Sequence, residues 1–294
     1  MRKASIKLPG WVLLNGQSAS MKNKILVGLL ALYAVILCRC EIHSLAYFGI
    51  DWRETYYPAV TLLLHGKNPY AVTTLHNAVW ALFPLIPIAL VGEKAGEILM
   101  FFVAFGVYVY VARKLGATPL SLILFMTSPL IVYNLMLGNI DWLVVLGFIM
   151  PPSAGLFFVL LKPQIGIAVV VYWLWTSYKS GGIKDVGKTF LPATFFIAIS
   201  FFLFGNWITG RSDNLLSAGW NLSFFPYSVP IGLLLLIMAW KKKNYAISAS
   251  PFFSPYMSFG SWSIAQLGLI ENNLLTFSIT IGLWLLYLLL THGP

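Results

Sequence analysis

Long apolar segments recur along the whole chain and constrain its fold more than any other feature. Only 10% of the residues are charged, whereas soluble domains carry about 25%, so a water-soluble fold would lack polar surface. The apolar residues are instead expected to face a lipid bilayer. We predict an all-α polytopic transmembrane helical bundle of roughly 9–11 spans. The apolar segments are 25–40, 78–91, 96–112, 118–136, 140–150, 154–161, 165–178, 189–205, 229–240, 246–270 and 273–290.

Basic residues predict the orientation of this bundle, because cytoplasmic loops carry an excess of lysine and arginine. Several precede the first apolar segment, so we expect a cytoplasmic N-terminus. Segment 78–91 is short and contains two prolines, which break helices. If it does not cross the bilayer, most later basic residues are cytoplasmic and most acids lie outside. We therefore predict short membrane-lying helices in a first outer loop, about 41–95, and a second outer loop at about 206–228.

The predicted organisation is a cytoplasmic segment, 1–24, followed by one transmembrane domain, 25–294. Met21 precedes Lys22 and Lys24, which makes residues 1–20 a candidate extension without a structural role. A proline pair at 151–152 divides segment 140–161. That segment is either one kinked helix or two short helices, and the downstream lysines favour two.

Several function classes are disfavoured by the sequence. The net charge of +10 comes from basic residues that flank apolar segments, so no nucleic-acid partner is predicted. Cys38 and Cys40 are too close together to indicate a disulfide framework. No phosphate-binding glycine loop, zinc-ligand spacing or serine elbow is present. No cofactor is predicted, although a divalent metal between Asp51 and Asp141 stays an alternative.

Asp51 is the first candidate functional residue. It directly follows the first apolar segment and opens a stretch rich in aromatic residues, 51–58. Partial burial between aromatic rings would raise the pKa of its carboxyl toward working pH and make it a plausible general base. The alternative is a solvated loop acid.

Two further stretches place polar residues at the predicted outer face. In the first, Gly66 suits a helix C-cap and Asn68 precedes a proline that turns the chain. In the second, Asn139 and Asp141 lie between two apolar segments, where an amide and a carboxylate can hydrogen-bond a polyol or a metal. Each stretch is also compatible with an ordinary capped turn or helix connection.

Cationic residues form the remaining candidates. Lys162 lies within an apolar stretch, where a charge is costly unless it snorkels or meets an anion such as a lipid phosphate. Arg211 belongs to the second outer loop together with Asp213 and the aromatic residues 220–227. Aromatic residues are common at membrane interfaces, so this loop is weak support by itself.

Taken together, these residues resemble the opening motif of glycosyltransferase family 87, the polyprenol-phosphate-sugar-dependent mannosyltransferases of the GT-C superfamily. Gly138-Asn139-Ile140-Asp141 falls where the family shows Gly-Gln-x-Asn, and Lys162-Pro163-Gln164 is similar to its Lys-Pro element. Phe83-Pro84 resembles its aromatic-proline step. The similarity extends over about residues 25–205. The motif residues are Asp51, Tyr56, Tyr57, Ala59, Leu62, Leu63, Gly66, Asn68, Pro69 and Tyr70.

The resemblance implies a GT-C-like fold and an inverting transfer of a sugar, mannose first, from a polyprenyl phosphate to a glycolipid or glycan acceptor. It implies a multi-pass protein of a prokaryotic plasma membrane, in contact with membrane lipids, with its active site on the outer face. Asp51 would be the general base. Donor phosphate would be bound by Lys162, Arg211 and Arg53, and the sugar or acceptor by Tyr57, Asn68, Tyr70, His76, Asn139 and Asp141.

Two departures and two alternatives accompany this prediction. Asn139 and Asp141 replace the family's usual Gln and Asn, so their donor or acceptor roles do not carry over directly. A flippase for a lipid-linked sugar would share an outer polar pocket, with polar groups lining both leaflets. A non-catalytic subunit of a glycan-assembly complex would assemble without needing Asp51.

Overall fold

The computed structural model describes residues 48–206 and 218–292, together with Gly28, Tyr33 and Leu216. The chain divides into two compact units, Met1–His43 and Ser44–Pro294. In the first unit, the two described residues are helical. The predicted first span, 25–40, lies largely outside the described residues, as do Cys38, Cys40, Arg211 and Asp213. The described part of the second unit is helical and contains no strand.

Helices of very different lengths build the second unit. A π-helical turn, Trp52–Tyr56, leads into the first α-helix, and short 3-10 segments occur at Pro69–Ala71, Val79–Ala81, Phe83–Leu85, Ser250–Phe253 and Gly260–Trp262. The α-helices are α1 Tyr57–Leu64, α2 Ile86–Ala89, α3 Glu93–Lys114, α4 Pro119–Met126, α5 Pro129–Leu137, α6 Asp141–Gly147, α7 Pro152–Val159, α8 Pro163–Phe204, α9 Val229–Met238, α10 Asn244–Ala249, α11 Ser263–Gly268 and α12 Asn273–His292.

Proline explains why so many of these helices are short. A proline occupies the first or second position of α1, α2, α4, α5, α7, α8 and α9. Proline suits the first helical turn, where its missing N–H costs nothing, but it disfavours helix in the residue before it. The long apolar segments are therefore divided into separate helices. At α4, Thr118 and Ser121 also form a capping box, in which each side chain accepts a hydrogen bond from the other's backbone N–H and so defines the N-terminus of the helix.

Among the described residues, two helices, α3 and α8, are long and apolar enough to cross a membrane, and the count rises to three if α4 and α5, bent by 55°, act as one span. The full bundle of nine to eleven spans stays a prediction. The apolar segment 78–91 forms only 3-10 turns and the four-residue α2. Segment 140–161 forms two short helices, α6 and α7, which confirms the two-helix interpretation.

Helix α8 is a hairpin rather than a single rod. Its dihedral angles are non-helical at Gly181 and Gly182. Ser177 Oγ lies 3.1 Å from Thr189 Oγ1, whereas an unbroken helix would separate these residues by about 18 Å. The chain therefore reverses here, and the arms 163–180 and 183–204 are roughly 27 and 33 Å long.

The second unit has a lysine-rich end, defined by residues 113–114, 179–188 and 241–243. Contacts bring these segments together although they are far apart in sequence. The rings of Trp175 and Trp240 are 5.8 Å apart, and Lys179 Nζ lies 4.9 Å from the Trp175 ring. Asn244 Nδ2 donates to the carbonyl oxygen of Leu115 at 3.1 Å.

The opposite end, the cavity end, contains Asp51 and the start of α3. Trp52 Nε1 donates to the carbonyl oxygen of Glu93 at 2.9 Å, which ties the π-helical turn to α3. The 22 residues of α3 separate the two ends by about 33 Å. Basic clusters and the acids near Asp51 thus lie about one hydrocarbon thickness apart, as the charge pattern predicts.

Candidate active site at the cavity end

Close backbone approach brings Asp51 and Asn139 together. Helix α5 ends at Gly138, which has φ +68°, a left-handed conformation that favours glycine. A Cβ at Gly138 would lie 3.3 Å from Trp52 Cβ and 3.4 Å from Gly49 Cα. The N–H of Gly49 also donates to the carbonyl oxygen of Met136 at 2.6 Å. The end of α5 is therefore docked on the residues just before the π-helical turn.

Four side chains form a connected hydrogen-bonded group, which we call the four-residue network: Asp51, Asn139, Asp141 and Lys162. Asn139 Nδ2 donates to Asp51 Oδ2 at 2.8 Å. Lys162 Nζ donates to Asn139 Oδ1 at 2.6 Å and to Asp141 Oδ1 at 2.5 Å. This amide orientation is the favourable one, because the flipped amide would face its NH₂ toward the ammonium and its oxygen toward the carboxylate.

Asp141 is the most deeply enclosed member of this network. Its side chain has no solvent exposure, and that of Lys162 is 9% exposed. Asp141 Oδ2 accepts hydrogen bonds from Ser261 Oγ at 2.6 Å and from Asn134 Nδ2 at 3.1 Å. Both carboxylate oxygens therefore have partners inside the protein. The backbone N–H of Asp141 donates to Asn139 Oδ1 at 3.1 Å and holds that amide in place.

A cavity of about 520 Å³ opens beside the network, within the range of small-molecule sites. Asp51, Asn139 and Lys162 line it, whereas Asp141 does not. Hydroxyl, amide and aromatic side chains form much of the remaining wall. The polar and aromatic lining residues are Thr55, Tyr56, Thr74, His76, Asn77, Tyr133, Gln164, Trp220, Tyr256, Ser258 and Ser261.

The electrostatics of the cavity favour a basic Asp51. Desolvation by burial raises the pKa of its carboxyl from 3.8 to about 6, while the Lys162 charge and the Asn139 hydrogen bond lower it. Burial also holds the pKa of the Tyr56 hydroxyl well above its ordinary value. A carboxyl with a pKa near 6 is ionised at neutral pH and is a stronger base than a solvated aspartate.

Two predicted ligands in the loop before α3 support its conformation instead of lining the cavity. Asn68 Oδ1 accepts from the backbone N–H of Tyr70 at 2.9 Å and caps the 3-10 segment there. The Tyr70 hydroxyl donates to the carbonyl oxygen of Asn77 at 3.1 Å. Tyr57 is partly buried, and its ring lies 5.8 Å from the Trp52 ring. Among the predicted ligands of this loop, His76 lines the cavity.

The predicted phosphate-binding cations occupy different positions. Lys162 lines the cavity. Arg53 donates to the carbonyl oxygen of Phe48 and forms a 3.0 Å ion pair with Glu97, on the α3 side of the π-helical turn. Arg211 lies outside the described residues. Among the lysines and arginines in the described part of the chain, Lys162 is therefore the one that lines the cavity.

Asn77 and Ser261 are site residues that the sequence did not single out. Asn77 Oδ1 accepts from the Tyr56 hydroxyl at 3.3 Å, and its Nδ2 donates to the carbonyl oxygen of Leu161 at 3.1 Å. These bonds join the loop before α3 to the residue preceding Lys162. Asn77 directly follows His76, so its position was a weak signal, whereas nothing in the sequence near Ser261 indicates contact with Asp141, 120 positions away.

Comparisons with known proteins leave the family open. No family model, curated protein or solved structure matches this chain. Among the described residues, no group of three or more His, Cys, Asp or Glu side chains is arranged to hold a metal ion. The resemblance to glycosyltransferase family 87 accordingly stays a prediction from the motif residues.

Proposed function

We propose that this chain is an integral membrane glycosyltransferase that moves a sugar from a polyprenyl phosphate to an acceptor hydroxyl. The observation that carries the proposal is that Asp51 and Lys162 line one cavity, linked through Asn139. A general base and a cation for phosphate are the two groups that this transfer requires. Mannose is the first sugar to test, because the motif resemblance is to mannosyltransferases.

Asp51 takes the proton in the proposed reaction. The acceptor hydroxyl oxygen attacks the anomeric carbon, its proton passes to Asp51, and the bond from that carbon to the phosphate oxygen breaks. Attack opposite the leaving group inverts the anomeric configuration. The lipid phosphate leaves as a stable anion, so the reaction does not require a general acid.

Lys162 is the proposed phosphate contact. An ammonium group has three N–H donors, and Asn139 and Asp141 accept two of them. The third is available to a phosphate oxygen in the cavity, where low solvent access strengthens a charge-assisted hydrogen bond. Hydroxyl, amide and imidazole groups that also line the cavity, from Tyr256, Ser258, Asn77 and His76, suit a sugar ring.

The charge distribution supports an orientation with the cavity on the non-cytoplasmic face. The lysine-rich end carries residues 179–188 and 241–243, the composition expected of cytoplasmic loops. We accordingly propose a multi-pass plasma-membrane enzyme with a cytoplasmic N-terminus and membrane-lying short helices in the first outer loop. The GT-C-like bundle with further spans belongs to the same proposal.

A lipid-linked sugar flippase is the main competing function. It would need polar groups along a path through both leaflets. In α3, the residues between Glu97 and Arg113 are uncharged, and the described polar network lies at one end. This distribution favours an enzyme with one-sided access.

The test is a transfer assay on the full chain in detergent, with labelled polyprenyl-phosphate mannose and a mixed acceptor extract. Wild type is expected to transfer the label, and Asp51→Asn to lose about a hundredfold or more, the usual scale for a general base. Glu54→Gln is the matched control, because Glu54 is an exposed acid on the same turn. Equal transfer by wild type and Asp51→Asn would remove Asp51 from the mechanism. Absence of transfer with every polyprenyl-phosphate sugar would favour the flippase or a non-catalytic subunit.

A further inference from the structure

Asn139 lies between Asp51 and Lys162, two groups of opposite charge. Its amide bonds Asp51 on one side and Lys162 on the other, at 2.8 and 2.6 Å. The group that bonds Asp51 is therefore a neutral amide. Lys162 lies one hydrogen bond further along the network. Lys162 instead forms its ion pair with Asp141, at 2.5 Å.

Asp141 does not itself reach the cavity. It has no solvent exposure, and its two carboxylate oxygens are occupied by Lys162, Ser261 and Asn134. Asn134 is held in turn by a 2.9 Å hydrogen bond to the Tyr108 hydroxyl on α3. A sugar could reach this carboxylate only by breaking a buried group of bonds. The role expected from the sequence, a direct sugar or acceptor contact, therefore does not fit its position.

We propose that Asp141 is a positioning residue that retains Lys162 as its own ion-pair partner and so keeps it from pairing with Asp51. This inference rests on the proposed function, in which Asp51 accepts a proton and Lys162 meets the donor phosphate. In this arrangement Asp51 and Lys162 share one cavity, while Asp51 stays available for the acceptor hydroxyl and Lys162 for the donor phosphate.

The physical reason is that a direct ion pair would weaken the base. An adjacent cation lowers the pKa of an aspartate by roughly 1–3 units, and a carboxylate held that way accepts a proton poorly. Asp141 opposes this effect, since its charge raises the pKa of Asp51 while that of Lys162 lowers it. The other titratable groups facing Asp51 or the same cavity are Glu54, Tyr56, Tyr133, His76 and Tyr256.

Three variants separate this role from general structural support. Asp141→Asn removes the partner of Lys162 and leaves Asp51 as the nearest carboxylate. Lys162→Gln removes the cation and leaves the remaining acids to repel one another. Ser261→Ala removes one hydrogen bond to Asp141 but no charge, so it is the control for loosened packing.

The experiment is an infrared titration of the Asp51 carboxyl in the full detergent-solubilised chain. The Asp51 signal is assigned in each background by subtracting the spectrum of the same protein carrying Asp51→Asn. The titration midpoint should fall by about one pH unit or more in Asp141→Asn and rise in Lys162→Gln. Ser261→Ala should leave it within a few tenths of a unit.

Two results would overturn the proposal. One is an Asp51 midpoint that does not fall in Asp141→Asn; the other is a shift in Ser261→Ala as large as that in Asp141→Asn. If Asp141→Asn does not fold, the midpoint in Lys162→Gln decides, because the absence of a rise there also contradicts the proposal. The titration uses no sugar donor, so its failure is distinguishable from a failure of the transfer assay.

Discussion

The Asp51 carboxylate accepts a 2.8 Å hydrogen bond from the side-chain amide of Asn139, although 88 positions separate the two residues. This contact joins the start of the π-helical turn to the end of α5, and it fixes one oxygen of the proposed base. Asn139 does not bond the other carboxylate oxygen. The Asp51 residue that carries it lines the cavity.

The pH dependence of transfer should report the Asp51 carboxyl. Its pKa of about 6 means that the base is protonated and inactive below that pH. We expect kcat/KM to rise about tenfold per pH unit below pH 6 and to level off above it. The measurement is a rate profile between about pH 4.5 and 8.5. A nearly flat profile down to pH 4.5, as expected for a solvated aspartate with a pKa of about 4, would contradict the raised pKa.

Asp51→Asn should stabilise the protein at neutral and alkaline pH. Because burial raises the pKa of Asp51, the native state binds more protons than the unfolded state between pH 4 and 6. The free energy of unfolding therefore falls as pH rises from 4 to 6, and it stays at the lower value above pH 6. We expect the variant to gain about 1–3 kcal/mol at pH 8, seen as a higher thermal midpoint in detergent. The gain should disappear near pH 4, and a variant less stable than wild type at pH 8 would contradict this account.

Gly138→Ala should damage both stability and transfer, whereas Gly66→Ala should affect stability alone. The two glycines have nearly the same φ, +68° and +67°, but a Cβ at Gly66 meets nothing within 4 Å. Left-handed backbone costs a non-glycine residue about 1–2 kcal/mol, which is the whole effect expected at Gly66. At Gly138 the added methyl also pushes against Trp52 and displaces Asn139.

The glycine comparison is measured by thermal unfolding and by initial transfer rate. We expect Gly66→Ala to keep wild-type turnover, and Gly138→Ala to lose about tenfold or more, because small displacements of a site residue are costly. Equal turnover in both variants would mean that the docking of α5 on the π-helical turn does not position the base.

The orientation of the chain can be tested by cysteine labelling. In a background with Cys38→Ser and Cys40→Ser, single variants Lys67→Cys and Lys184→Cys place a thiol on exposed residues at the cavity end and the lysine-rich end. A membrane-impermeant maleimide should label Lys67→Cys in intact cells. It should label Lys184→Cys only after the membrane is opened. The reverse pattern would place the cavity on the cytoplasmic side.

The sequence predicted the part of the site that local chemistry reveals. Asp51 and Asn139 stand out as polar residues at the ends of apolar segments, and Lys162 as a charge within one, where it is costly. All three line the cavity. The inward position of Asp141 was not predictable, since it depends on partners from α5 and from Ser261. Asn68 caps a 3-10 segment, and a sequence motif alone does not distinguish such a capping side chain from a binding one.

The fold, like the site, could be predicted only in part from the sequence. Charge counting placed the basic clusters on one side, and the lysine-rich end agrees with that grouping. Apolar length alone does not show which segments cross the membrane, because prolines at helix starts divide some of them into short helices. The break at Gly181–Gly182 folds α8 into two arms, in line with the separate apolar segments 165–178 and 189–205.

The most direct test of Asp51 as the base is a single-turnover measurement on donor bound to the protein before acceptor is added. Asp51→Asn should bind polyprenyl-phosphate mannose with an affinity within a fewfold of wild type, because Lys162 and the cavity wall remain. Its transfer step should be slower by about a hundredfold or more. If the variant instead loses donor binding and transfers the residual bound sugar at the wild-type rate, Asp51 holds substrate and the base lies elsewhere.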